Sequence, residues 1–233
     1  MNYQLKIRRF SGDAPHWQTF TTPCGGGDSV ACALEELNSR PDLRSAGGEE
    51  VRPVAWDCGC LEKKCGACAM VIGGKPRLAC ATALRDAADG AGMVTLEPLK
   101  KFPCLEDLRV DRTALFDALR EMELWLEGEG AAEGELHYRA ASCLMCGLCL
   151  EVCPNFDVQG LFSGAPAAAA AFRLTDLEQE EGRRKRLYDQ YRKRFFAGCS
   201  KSLACQEICP AGGPVEQLLV KTNGGALWRR KRK

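Results

Sequence analysis

Two stretches of this chain share one cysteine frame: residues 143–154 read CLMCGLCLEVCP, and residues 199–210 read CSKSLACQEICP. In the first, Cys143, Cys146 and Cys149 stand at two-residue gaps, and Cys153 follows immediately before Pro154. In the second, the same frame holds Cys199, Ser202, Cys205 and Cys209 before Pro210. The chain has 15 cysteines among 233 residues. An odd count disfavours a closed set of disulfides. The start MNYQLKIRRF alternates like a strand and shows neither a secretory signal nor a transit peptide. The expected setting is therefore a reducing cytoplasm, where clustered thiols bind metal more often than they pair.

The first motif has the spacing of the bacterial iron-sulfur run, in which the fourth cysteine serves the other cluster. Three closely spaced thiolates hold three corners of a cubane, and so short a loop does not bring a fourth to the remaining corner. By this crossing rule Cys209 completes a 4Fe-4S cluster begun by Cys143, Cys146 and Cys149. Cys153, Cys199 and Cys205 remain for another site whose fourth corner faces Ser202. A hydroxyl stays protonated and is a poor iron ligand beside thiolates, so this site is expected to hold 3Fe-4S. A serine-ligated 4Fe-4S cluster is the alternative.

Further upstream, CLEKKCGACAMVIGGKPRLAC sets Cys60, Cys65 and Cys68 at four- and two-residue gaps, with Cys80 after eleven more residues. This is the plant-type spacing for 2Fe-2S. Gly66 and Ala67 are small enough for the backbone to approach the inorganic core. A zinc knuckle pairs two short CxxC units and does not suit these gaps. Cys58 could also supply the first ligand, but only Cys60 preserves the four-residue gap. Of the remaining cysteines, Cys32 reads as a small buried hydrophobe in a helix. Cys24 and Cys104 read the same way, and Cys58 must lie near the first cluster.

Short strands are expected at 3–10, 17–21, 69–73 and 93–97, and a helix at 29–40 capped by Asp28 or Ser29. From Asp111 the period becomes helical: Leu115, Leu119, Met122 and Leu126 recur, widened by Phe116 and Trp125. Helices also suit 174–196 and 214–222, the last opening with Pro214 and ending at Asn223-Gly224-Gly225. The expected fold is α+β, with a 2Fe-2S domain over 1–102 and a mainly helical domain over 103–233.

Net charge is +1, which argues against a general nucleic-acid binder. No stretch approaches the roughly 20 apolar residues that span a bilayer. The basic runs 183–186, 192–194 and 229–233 suit anionic headgroups or an acidic partner, or else a solvated helix face and tail.

The order of these three cysteine motifs resembles the iron-sulfur subunit of succinate dehydrogenase and fumarate reductase, over nearly the whole chain. GACAMVIGGKPRLAC and CLMCGLCLEVCPN look like its menaquinone-linked bacterial members. The resemblance implies a plant-type ferredoxin (β-grasp) domain followed by a bacterial-ferredoxin-like helical domain. It also implies an electron-transfer role between an FAD-containing catalytic subunit and a membrane anchor that binds quinone and, in some members, haem b. The 3Fe-4S centre would sit beside the quinone, with Pro154 matching the proline that borders the quinone pocket in ubiquinone-type enzymes. The subunit would lie peripherally on the cytoplasmic face of a bacterial inner membrane. Three departures stand out: LEKK replaces the usual Arg-Glu-Gly loop, Asn155-Phe156-Asp157 lacks tryptophan, and Ser200 stands where histidine is common. The competing reading is an iron-sulfur subunit of another flavin-dependent dehydrogenase or of a thiol-linked fumarate reductase.

Overall fold

Alternation in YQLKIRR places Tyr3, Leu5, Ile7 and Arg9 on one buried face of strand β1 (Tyr3–Arg9). The computed structural model describes residues 3–10, 14–127 and 134–228. The chain divides into two compact units, Met1–Asp111 and Arg112–Lys233.

In the first unit β1 is an interior strand. It pairs antiparallel with β2 (His16–Thr22) and parallel with β5 (Met93–Glu97), with Leu5 opposite Val94 and Ile7 opposite Leu96. Strands β3 (Ala69–Ile72) and β4 (Lys75–Leu78) complete a mixed sheet in the order β2-β1-β5-β3-β4. Helix α1 (Val30–Asn38) buries Val30, Ala33, Leu34 and Leu37, and Ser29 caps it by accepting the Cys32 amide. A single-turn helix α2 (Leu84–Ala87) precedes β5, and β6 (Cys104–Glu106) pairs with β7 (Arg109–Val110) as a separate ribbon. Leu5, Ile7, Phe20, Leu34, Ile72 and Leu96 are fully buried and form the core.

The second unit is helical. Helix α3 (Thr113–Glu121) stops earlier than the apolar period suggests, because Glu123 takes a left-handed φ of +57°. Leu115 and Met122 are buried, whereas Phe116, Trp125 and Leu126 are exposed, so the widened stripe is not a core face. Helices α4 (Glu135–Ala141) and α5 (Leu148–Glu151) flank the first cysteine motif. The alanine-rich segment forms α6 (Gly164–Leu177), which packs against α4, α7 and α9.

The helix expected over 174–196 is interrupted. Glu178 and Glu180 leave helical geometry: Glu178 ends α6, and Glu180 caps α7 (Glu181–Tyr191), its carboxylate accepting the Gly182 and Arg183 amides. A π-helical turn, Arg192–Phe196, then leads towards Cys199. Helix α8 (Ala204–Glu207) carries Cys205, and α9 (Val215–Trp228) continues through Asn223-Gly224-Gly225 instead of ending there. Asn223 accepts the Tyr191 hydroxyl at 2.7 Å, and a β-carbon on Gly225 would lie 2.5 Å from Tyr188 Cζ. These residues answer a close helix–helix approach, not a stop. Among the described residues no helix is long and apolar enough to cross a membrane.

Candidate metal centres

In the first unit, Cys60, Cys65 and Cys68 occupy the loop before β3, and Cys80 lies in the 3₁₀ turn after β4. The β3–β4 hairpin pairs Ala69 with Leu78 and so returns Cys80 to Cys68, their sulfurs 3.4 Å apart. Leu61 and Lys63 adopt left-handed φ values of +54° and +62°, which curl the LEKK backbone inward. Its amides then point at sulfur: Glu62 and Lys64 donate to Cys60 at 3.3 and 3.2 Å, and Lys63 donates to Cys80 at 3.3 Å. The Cys60 amide donates to Cys65 at 3.4 Å. Such a nest of N–H groups stabilises negative charge.

The amides of Glu62 and Lys64 pull the Cys60 thiol down to about 7. Burial instead pushes Cys68 up to about 12. One sulfur is thus prepared as a thiolate and another is shielded from water, an arrangement that fits a cationic core held at the loop. Cys58 is exposed. The amide donors were legible only as the LEKK departure; their direction follows from backbone conformation, which spacing does not encode.

In the second unit the two motifs interleave. Cys143, Cys146, Cys149 and Cys209 line one cavity of about 50 Å³, with Cys205 also at its wall. That is several times the ~10–15 Å³ a water needs on this measure. Apolar side chains such as Ala140, Ala169 and Leu218 complete the enclosure. Burial first, and then the charges of Cys146, Cys143, Cys209 and Cys205, push the Cys149 thiol far above its ordinary range. Cys146 is pushed up to about 11, again by burial first. Thiolates crowded in a largely apolar pocket repel one another, and a bound iron core would invert that local logic.

A second cavity, about 20 Å³, is lined by Cys153, Cys199, Cys205 and Ser202, with Phe162 and Phe195 beside them. Burial and the nearby charges of Cys153 and Cys199 raise the Cys205 thiol. Asn155 ties the motifs together, donating to the Gly198 carbonyl at 2.5 Å and accepting the Ser200 hydroxyl at 2.9 Å. Gly213 donates its amide to Cys209 Sγ at 3.2 Å. Spacing did not reveal the Asn155 bonds, since they join residues 43 and 45 positions apart. Among the described residues no three His, Cys, Asp or Glu side chains close on a single-ion position. The thiols instead ring these larger spaces.

Three further sequence readings are modified. Cys32 is exposed, not a buried hydrophobe. Cys24 and Cys104 are half-buried. The basic run 183–186 is largely spent in ion pairs: buried Arg183 with Glu178 at 2.8 Å, Arg184 with Glu181 at 3.1 Å, Lys185 with Asp189 at 2.9 Å and Arg186 with Glu123 at 3.7 Å. Arg194 pairs with Glu121. The run 229–233 lies outside the described residues.

Residues 4–117 match a 2Fe-2S iron-sulfur cluster binding domain, and residues 139–213 match a 4Fe-4S dicluster domain. The chain is 34% identical to the succinate dehydrogenase iron-sulfur subunit of Bacillus subtilis, over 90% of this chain and 85% of that protein. It is 29% identical to the fumarate reductase iron-sulfur subunit of Wolinella succinogenes, over 94% and 96%, respectively. Its fold resembles a chain of the Mycobacterium smegmatis Sdh1 complex in the apo form, with a TM-score of 0.77 at 20% identity, covering 99% of this chain and 97% of that one. The two cluster-binding domains, in this order and over nearly the whole length, place the chain in the family of succinate dehydrogenase and fumarate reductase iron-sulfur subunits.

Proposed function

We propose that this protein is the electron-transfer subunit of a succinate:quinone oxidoreductase, joining an FAD-containing catalytic subunit to a quinone-binding membrane anchor. The observation that carries the reading is the crossing of the two C-terminal motifs, with Cys209 beside Cys143, Cys146 and Cys149, and Cys153 beside Cys199 and Cys205. In this reading Cys60, Cys65, Cys68 and Cys80 hold 2Fe-2S. Cys143, Cys146, Cys149 and Cys209 hold 4Fe-4S, and Cys153, Cys199 and Cys205 hold 3Fe-4S. When bound, the clusters supply one-electron carriers between a two-electron flavin and quinone. The first unit is read as a plant-type ferredoxin (β-grasp) fold, which its mixed sheet and loop-borne cysteines support.

The chain's own residues set the conditions. The amides of Glu62, Lys63 and Lys64 donate to cysteine sulfur and favour the more negative state there. Ala140, Ala169 and Leu218 keep water from the 4Fe-4S cavity. Asn155 holds the Cys199 loop against the Pro154 corner through Gly198 and Ser200. Pro154 borders the quinone. With Ser200 engaged by Asn155 and no tryptophan in 155–157, menaquinone suits the site better than ubiquinone. The subunit sits peripherally on the cytoplasmic face of a bacterial inner membrane, held by the anchor.

The test is low-temperature EPR with iron and sulfide analysis on anaerobically purified complex, before and after dithionite. The expected result is an oxidised 3Fe-4S signal that vanishes on reduction while a 2Fe-2S signal appears. Native protein containing zinc and no iron would overturn the assignment.

A further inference from the structure

Beside the cavity that holds Cys153, Cys199 and Cys205 lies a larger one, about 260 Å³, bounded by α3, residues 156–163 and Arg194. The thiol cavity is mostly apolar and the larger one mostly polar, with Asp117, Glu121, Gln159 and Arg194 in its lining. One water needs ~10–15 Å³ on this measure, so the larger cavity has room for many. Glu121 and Leu161 are exposed, and its mouth therefore meets solvent. Ser163 also lines it, and the buried Ser163 hydroxyl has no protein partner, a group that water satisfies. A single residue, Phe162, stands in the linings of both cavities.

Three contacts hold the Phe162 ring. It stacks on Phe195 with centroids 5.4 Å apart, and Phe195 stacks in turn on the buried Tyr191 at 5.2 Å. Gly198, the residue before Cys199, lets the ring lie against the backbone: a β-carbon there would stand 2.8 Å from Phe162 Cδ2. The main chain beside the ring is tied by the Ser163 amide, which donates to the Arg194 carbonyl at 2.8 Å. The ring is thus fixed against the segment that carries Cys199.

We infer that Phe162 is the partition that keeps solvent water from the third centre and so sets the potential of that centre. The inference rests on the 3Fe-4S reading of Cys153, Cys199 and Cys205. Solvent exposure is one of the factors that fix a cluster's potential. A cluster with its thiolates is negatively charged and gains one more negative charge on reduction, and water stabilises the more charged state. Truncating the ring joins the two cavities and therefore raises the midpoint potential of the third centre. Phe162 does not line the 4Fe-4S cavity, whose potential stays as it is. The side chain acts through the water it excludes, as a positioning residue and not as a ligand.

The test compares the unsubstituted complex with Phe162→Leu and Phe162→Ala. Each is exchanged into D₂O, and the deuterium modulation of its oxidised 3Fe-4S signal is read by electron spin-echo spectroscopy. Redox titration followed by EPR gives the midpoint potential of each centre. In the order Phe, Leu, Ala the modulation should deepen and the third midpoint rise, with the 2Fe-2S and 4Fe-4S midpoints unchanged. A ring that only packs would lower the melting temperature and move neither reading, and that outcome overturns the partition. A shift shared by all the centres overturns it as well. Should Phe162→Ala fail to assemble, Phe162→Leu decides by the same readings. An unsubstituted complex without an oxidised 3Fe-4S signal would instead count against the cluster reading, and iron release to a chelator would then judge the wall. Faster release from the substituted complexes upholds it, and equal release overturns it.

Discussion

Arg9 Nε lies 3.0 Å from Asp107 Oδ1, and the two side chains are 2% and 0% exposed. The contact is an ion pair without the alignment of a directed hydrogen bond. Other groups complete the satisfaction of both charges. Asp107 accepts the Phe10 and Ala55 amides, each at 2.9 Å, while Arg9 donates to the Arg52 and Pro53 carbonyls, each at 3.1 Å. Three segments meet at one buried pair: the end of β1, the β6–β7 turn, and the stretch that leads into Cys58 and Cys60.

Removing the carboxylate leaves the Arg9 guanidinium buried and unpaired. Asp107→Ala should therefore destabilise the first unit by about 3–5 kcal/mol, the range for breaking one side of a buried pair. Asp107→Asn should lose less, because its carbonyl still accepts an amide. Urea unfolding followed by circular dichroism measures both. Equal, negligible shifts would show that this pair carries no such weight.

The crossing of the motifs makes an asymmetric prediction. Cys209→Ser, although in the second motif, should disturb the 4Fe-4S centre and leave the oxidised 3Fe-4S signal in place. Cys153→Ser, in the first motif, should abolish that signal and spare the 4Fe-4S centre. Mössbauer and EPR spectra of the two variants distinguish this pattern from the in-line one, in which each motif serves its own cluster.

The thiol spacing made much of the site legible because a cluster loop is a local object, and its gaps are written in the chain. Tight helix crossings are not. Gly224-Gly225 looks like a helix stop in isolation, and only the nearness of Tyr188 explains Gly225 inside α9. The reach of α3 failed for a related reason: Leu126 keeps helical spacing, but Glu123 has already left the helix. Cys32 reads by residue type as a buried hydrophobe, but it lies off the Val30–Leu34–Leu37 face that α1 buries, so the helical period itself accounts for its exposure.

Gly225 supplies a stability prediction of unusual sign. An alanine in a helix interior gains about 1 kcal/mol over glycine by propensity alone. Here its β-carbon would meet Tyr188, an overpacking of the kind that costs about 1–3 kcal/mol. Gly225→Ala should lower the melting temperature, and adding Tyr188→Ala should recover part of the loss. A melting temperature raised by the single change would show that the tyrosine moves aside freely.

The acid side of the stability curve should depend on Glu178. Its carboxylate accepts the Glu180 amide at 2.9 Å and pairs with Arg183 at 2.8 Å, and these partners, the amide foremost, hold its pKa below the ordinary value of 4.5. A depressed folded pKa gives stability that is fully present above the unfolded value and lost as pH falls through the folded one. The difference between the unsubstituted protein and Glu178→Gln should therefore be constant at neutral pH and shrink from about 4.5 downward. Thermal melts across that range measure it, and a difference independent of pH would remove Glu178 from the account.

Ser202 decides the character of the third centre. It lines the same cavity as Cys153, Cys199 and Cys205, and its neighbours Lys201 and Leu203 take left-handed φ values of +61° and +58°. The loop's path is thus set by the backbone on either side of the serine, and a cysteine at 202 should leave it intact. The replaced atom then changes the chemistry alone. A thiol ionises near pH 8.5, far more readily than a hydroxyl, and can complete a fourth corner. Ser202→Cys should convert the third site to 4Fe-4S, abolish the oxidised EPR signal, add one iron per subunit and impair quinone reduction. An unchanged oxidised signal in a well-folded variant would mean that the corner facing residue 202 is not the vacant one.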